Sequence, residues 1–203
     1  MELFYAPNTI SVVVAIALEE AGIAYTPRLV DFAQAAQAKA AYLAVNPKGR
    51  VPALVTPQGT LTETGAILDY IGTSAPDLIP DDPFQAARMR EVMYYIASTF
   101  HVAHAHKLRG SRWADQETSF ADMRARVPQT VAACCACLES TYALEPHVLG
   151  SDFTLADPYL YVVATWGEGD GVTMSDYPKL CAFMETMRAR PSVQAVVSKG
   201  MLT

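Results

Sequence analysis

Asn46-Pro-Lys-Gly-Arg-Val-Pro-Ala-Leu-Val-Thr-Pro-Gln-Gly-Thr-Leu-Thr-Glu-Thr-Gly-Ala-Ile67 reads as a turn, a strand, a second turn, a returning strand and the start of a helix. Asn46-Pro47 and Lys48-Gly49 are turn chemistry, because proline presets the backbone and glycine accepts the left-handed region. Val51 precedes Pro52, whose ring disfavours the helical region for its neighbour and holds it extended. Ala53-Leu54-Val55 is a short apolar strand, Pro57-Gln58-Gly59 turns it, and Thr60-Leu61-Thr62 brings it back. Glu63 and Thr64 then stand at the mouth of a helix running from Gly65 to Ile71. Two chemical consequences follow. An extended residue can offer its N–H and C=O to a peptide lying alongside. A helix N-terminus presents unpaired N–H groups and partial positive charge to a carboxylate. Together these would hold a small acidic peptide by its backbone and by one carboxylate.

Outward from this stretch, strands and helices alternate. Glu2-Leu3-Phe4-Tyr5 is a first strand and Ala6-Pro7-Asn8 a turn. Ser11 opens an apolar helix that ends near Ala21, with Gly22 as its stop. Tyr25 to Val30 is a second strand, and the alanine- and glutamine-rich run from Phe32 to Leu43 is expected to be helical on propensity. The order up to Ser74 is β-α-β-α-β-β-α, which belongs to a mixed sheet flanked by helices. A proline-rich connector runs from Ala75 to Pro83. No strand pattern follows it. Helices are expected from Phe84 to about Lys107, from Glu117 to Tyr142 with a kink at Pro128, from Thr154 to Trp166, and from Tyr177 to Arg190 before Pro191, with a short helical tail. Thr154-x-x-Asp157 has the form of a capping box with Asp in place of the usual Glu. The expected fold class is α/β plus all-α: residues 1–75 form one domain, 76–83 a linker and 84–203 an all-helical domain.

A chain of 203 residues, 51% hydrophobic and 18% charged, has the composition of an ordinary globular protein. Its net charge of −6 argues against nucleic acid or an anionic membrane as partner. The longest apolar run, Ile10 to Leu18, is too short to cross a bilayer, and no basic region precedes it as in a signal peptide. The default location is the cytoplasm. Cys134, Cys135, Cys137 and Cys181 then read as reduced thiols. Cys134-x-x-Cys137 has redox spacing, but it lies inside a helical pattern, where small buried residues are the plainer reading.

The pattern Asn-Pro-x-Gly-x-Val-Pro-x-Leu, followed by Gly-x-Leu-x-Glu-Thr-x-Ala-Ile-x-x-Tyr, resembles the glutathione-binding segment of the glutathione S-transferases. The opening Met1-Glu-Leu-Phe-Tyr-Ala-Pro-Asn8, the helix Glu91 to His101 and Phe153-Thr-Leu-Ala-Asp-Pro-Tyr159 are similar to the bacterial beta class. The resemblance implies an N-terminal thioredoxin-like domain in which Pro52 is cis, followed by a helical domain. It implies glutathione as co-substrate, a small apolar electrophile as second substrate, and a homodimer. Val51 and Pro52 would dock the cysteinyl backbone. Glu63, as a buried carboxylate, would take the γ-glutamyl ammonium, and Thr64 the γ-glutamyl carboxylate. His101 matches the histidine near the thiol, with Ser98, Thr99 and Phe100 beside it. Where the family places a basic residue after the second strand, the aligned position falls near Ala35, which leaves Gln34 or Lys39 for the glycine end.

The main departure from that resemblance is at residue 10. Beta-class proteins have a cysteine there, and this chain has Ile10, which can neither form a mixed disulfide nor donate to a thiolate. Ser11, Thr9 and Tyr5 are the candidates to stabilise the thiolate, although Ser11 also reads as an N-cap. The implied reaction is attack of the glutathione thiolate on an electrophilic carbon. The alternatives are a non-catalytic glutathione-binding protein and a thiol-disulfide or peroxide reductase, the latter disfavoured because exchange needs a protein sulfur. His101, His104 and His106 are not read as a metal site: His106 lies about 200° from His104 around a helix of 3.6 residues per turn. Trp113 and Trp166 read as filling cores and interfaces.

Overall fold

The computed structural model describes residues 1–203. The strands are β1 (Glu2–Tyr5), β2 (Thr26–Leu29), β3 (Ala53–Thr56) and β4 (Gly59–Thr62). They form one sheet in the order β2-β1-β3-β4. β1 runs parallel to β2 and antiparallel to β3, and β3 returns as β4 through a hairpin that pairs Thr56 with Gly59.

Helix α1 (Ser11–Glu20) connects β1 to β2, and its residues Ser11 to Leu18 are all buried. A helix apolar around its whole circumference must be covered on every side. β1, α3 (Thr64–Gly72) and α9 (Pro191–Ser198) pack on it. Gly22, at φ 63°, ends the segment in the left-handed conformation that glycine adopts without steric penalty.

The run from Phe32 to Leu43 does not form the helix that its composition suggests. Asp31 Oδ1 accepts the N–H groups of Ala33 and Gln34, a local turn that competes with helix formation. Ala35 is left-handed at φ 49°, Ala36–Ala38 is a 3₁₀ turn, and Lys39 is extended. Only the four residues of α2 (Ala40–Leu43) are α-helical. Most of this segment is exposed, so no buried apolar stripe rewards a longer helix.

After the connector the chain is helical: α4 (Pro83–Tyr95), α5 (His101–Ala105), α6 (Glu117–Thr141), α7 (Ala156–Ala164) and α8 (Pro178–Arg188) precede α9. Asp82 caps α4 by accepting the Gln85 N–H at 2.8 Å. Between α4 and α5, Ile96–Phe100 winds as one π-helical turn, which the sequence reading did not anticipate. Pro128 lies within α6, and Pro191 sits at the first turn of α9 rather than only closing α8.

The chain divides into two units, Met1–Asp81 with Met187–Thr203, and Asp82–Thr186. The sequence reading assigned the whole of 84–203 to the helical domain, whereas the last seventeen residues of the chain, 187–203, group with the sheet. Arg190 makes a two-pronged ion pair with Glu20 at 2.7 and 2.9 Å, which ties the start of α9 to the end of α1.

Candidate functional site

The loop from Tyr42 to Pro52 is tied down at one carbonyl. The Tyr42 hydroxyl and the Asn46 Nδ2 amide both donate to Arg50 O, each at 2.6 Å. Burial pushes the Tyr42 phenol above its ordinary pKa, so it remains a donor. Asn46 is itself buried and also accepts the Lys48 N–H at 3.1 Å. Gly49 has φ 61°, and a Cβ there would meet Gln37 O at 3.0 Å. These contacts carry the chain into Val51–Pro52, whose peptide bond is cis. Both residues are buried, and Val51 lies outside the ladder, which begins at Ala53. The sequence reading missed Tyr42 and Asn46 as supports. Their four-residue spacing before the Val-Pro step is the signal that could have shown them.

The hairpin delivers the chain to α3 through Glu63, which takes φ 69° and ψ 119°. Non-glycine residues rarely adopt that conformation, and when they do it is commonly at a functional position, at a cost of about 1–3 kcal/mol. Thr64 is the first residue of α3 and is buried, so its N–H lies among those that the helix itself leaves unpaired. Glu63 is not the buried carboxylate expected from sequence. Its side chain is 67% exposed and meets Lys48 Nζ at 2.5 Å. A lysine from the turn before β3 covers its charge. Lys48 was not singled out in the sequence.

The turn before α1 holds the other candidates. Ile10 occupies the cap position and contributes no side-chain cap. Ser11 is buried within the first turn, where its Oγ accepts the Ala6 N–H at 3.0 Å and lies 2.7 Å from Thr9 Oγ1. The Thr9 hydroxyl donates to Ala6 O at 2.8 Å, and Ser11 Oγ is 3.2 Å from the same carbonyl. Both hydroxyl protons are therefore committed inside the turn, and neither side chain presents a spare donor. Tyr5 is half-buried and stands close enough to Tyr25 to help raise the pKa of that phenol, though burial and Glu19 raise it more. Asn8, at φ 56°, donates its N–H to Met201 O at 2.9 Å and accepts the Thr203 N–H at 3.0 Å. The end of the chain thus braces this turn. Gln34 and Lys39 are exposed on the irregular segment after β2.

In the other unit, the π turn carries Ser98 and Thr99 on the surface. Phe100 is fully buried, so its side chain belongs to the core. The Ser98 hydroxyl donates back to Tyr94 O at 2.8 Å. His101 is half-buried, its ring 5.3 Å from that of Trp166, and His104 stacks on the same indole at 4.2 Å. His104 Nδ1 lies 2.6 Å from Oδ2 of the buried Asp170 and donates to it, and Lys107 Nζ reaches the other oxygen at 3.2 Å. His106 packs on Trp113 instead, so the three histidines go to two different aromatic partners. Among the cysteines, Cys134 and Cys135 are buried. Burial pushes the Cys135 thiol up to about 12, which leaves it un-ionised at neutral pH.

Comparisons with known proteins bear on the family and the fold. A family model described as the N-terminal domain of glutathione S-transferase matches residues 1–73, and one described as the C-terminal domain matches residues 93–191. The chain is 32% identical to glutathione S-transferase GstA of Escherichia coli O157:H7 over 98% of both chains. A solved structure of a glutathione transferase homolog from Sulfitobacter, with bound glutathione, is 59% identical with a TM-score of 0.97, over 99% of this chain and 98% of that one. A bacterial beta class glutathione S-transferase from Sphingomonas chungbukensis is 33% identical with a TM-score of 0.85, over 98% of both chains.

Proposed function

The chain belongs to the glutathione S-transferase family, and from that premise we propose that it binds glutathione in its α/β unit and conjugates the thiolate to small apolar electrophiles. One joint presentation carries this assignment: Val51 beside the cis Pro52, with Glu63 and Thr64 at the N-terminus of α3 and Glu63 at a positive φ of 69°. The cysteinyl backbone of the peptide lies against Val51 and Pro52. The γ-glutamyl carboxylate goes to the Thr64 N–H and hydroxyl, and the ammonium to Glu63. Gln34 and Lys39 remain for the glycine end. The glutathione in the 59% identical structure supports this choice of ligand.

A fold of this kind hosts several reactions, so the chemistry is argued from the site. A free thiol with a pKa of about 8.5 is only a few per cent ionised at pH 7, and each unit of depression corresponds to about 1.36 kcal/mol. Ile10 offers no side-chain donor, and the Thr9 and Ser11 hydroxyls are spent within their turn. The Val12 and Val13 N–H groups bond to Thr9 O and Ile10 O at 3.0 and 3.2 Å, so stabilisation of the thiolate falls to the dipole at the start of α1, which supplies about one unit. Ser98, Thr99 and His101 enter through the family resemblance, with Phe100 contributing by packing. The second substrate, like the homodimer, also rests on that resemblance. Phe84 and Tyr94 of α4, 69% and 60% exposed, are apolar surface that a second copy would cover. The free cysteines fit a reducing compartment such as the cytoplasm.

One observation favours a second reading, a glutathione-binding protein without catalysis. Ile10 is buried and apolar where the beta-class resemblance implies a cysteine, and apolar surroundings raise a thiol's pKa. Ultraviolet titration of bound glutathione separates the two: a depressed thiol pKa supports conjugation, and a value at or above that of the free peptide supports binding alone. Glutathione binding itself is tested by calorimetry. Glu63→Ala is expected to weaken it about tenfold or more by stranding the ligand's ammonium. Unchanged affinity would remove Glu63 and Thr64 from the site.

A further inference from the structure

Glu63 already has a partner. Lys48 Nζ lies 2.5 Å from Glu63 Oε1 and donates to Thr62 Oγ1 at 2.9 Å. The backbone on both sides is fixed. Asn46 accepts the Lys48 N–H, and the Gly49 N–H closes the same turn on Asn46 O at 3.0 Å. Glu63 is held by its own φ of 69° and by the Ile67 N–H, which bonds its carbonyl at 3.0 Å. Two rigid backbones therefore set a cation and an anion side by side at the mouth of α3.

We propose that Lys48 is a specificity-determining residue: as the standing counter-ion of Glu63, it decides how strictly the site demands an amino group on the γ-acyl end of its peptide. This role presupposes that Glu63 receives the γ-glutamyl ammonium. The γ-glutamyl end brings an ammonium and a carboxylate bound to the same carbon. A bare Glu63 attracts the first and repels the second at a distance of a few ångströms. With Lys48 in place the anion is neutralised before any ligand arrives. An acyl end that lacks the amine, and so brings only its carboxylate, then meets an ion pair rather than an anion. Lys48 thus lowers the gain from the ammonium and removes most of the penalty on the lone carboxylate. Discrimination is the difference between these two affinities, and Lys48 narrows it. Both side chains are largely exposed, 47% for Lys48 and 67% for Glu63, so the effect is moderate and is screened by salt.

The probes are glutathione and its deamino analogue glutaryl-cysteinyl-glycine, titrated calorimetrically at low salt into the full chain as wild type, Lys48→Met and Lys48→Arg. The expected result is that the ratio of the two dissociation constants, analogue over glutathione, rises about fivefold in Lys48→Met and returns to the wild-type value in Lys48→Arg. The rise should shrink at high salt. An unchanged ratio in Lys48→Met, including an equal loss of both ligands, overturns the role of Lys48 while glutathione binding stands. A Lys48→Arg variant that behaves like Lys48→Met also overturns it. A wild type that binds neither peptide overturns this role and the glutathione reading together.

Discussion

Ser11 is polar, follows a turn and opens an apolar helix, which in sequence makes it a natural N-cap and a plausible neighbour of a bound thiol. In the folded chain Ile10 takes the cap position, and the Ser11 hydroxyl turns back to the Ala6 N–H and to Thr9. Ala6 and Ser11 are both buried, so removing the hydroxyl leaves an N–H without a partner or water. Ser11→Ala is therefore expected to cost about 1–3 kcal/mol of stability while leaving the pKa of bound glutathione unchanged. Denaturant unfolding and ultraviolet titration measure the two separately. A thiol pKa raised by about one unit with stability intact would restore Ser11 as the thiolate donor. Glu63 shows the complementary case. Its type and position were legible from the motif, whereas its exposure and its pairing with Lys48 depend on how the hairpin and the preceding turn meet.

At the scale of elements, propensity held only where packing agreed with it. The alanine-rich run before the Asn46 turn has helical composition, but it breaks into turn, 3₁₀ and α pieces because little of it is buried. The pairing of Thr154 with Asp157 was readable because it is local, although Leu155 takes the cap position of α7 and no side chain caps the helix. Asp157 accepts the Thr154 N–H at 2.7 Å and the Thr154 hydroxyl at 2.9 Å. What no spacing rule shows is its second task, in which the other carboxylate oxygen takes the Val148 N–H at 2.8 Å from a different loop. The carboxylate is completely buried, so Asp157→Ala leaves three donors unmet. It is expected to destabilise the chain by about 3 kcal/mol or more, read as a fall in the urea midpoint, with Asp157→Asn intermediate. A loss below about 1 kcal/mol would show that water or a rearranged loop replaces the carboxylate.

For the whole molecule, the proposed homodimer is checked by static light scattering at micromolar concentration. The expected mass is twice the 22.0 kDa of the chain, because two-fold pairing is the commonest way to cover an apolar surface of this kind. A monomeric mass would sink the proposal, and would leave Phe84 and Tyr94 as isolated exposed side chains.

Residue pattern alone determined the succession of strands and helices in the first 74 residues apart from the run between Phe32 and Lys39, the change to an all-helical chain after the prolines, and the choice of Val51, Glu63 and Thr64 as candidates. Each of these is written in short-range terms: hydrophobic period, turn residues, or a motif of contiguous positions. Tertiary structure alone decided the rest. It placed α9 with the sheet, because α1 is apolar on every side and needs that cover. It buried Phe100 and turned the Thr9 and Ser11 hydroxyls inward, since a side chain's direction follows from what packs around it. It also brought Lys48 onto Glu63, fifteen residues away, across a hairpin whose closure no local rule describes.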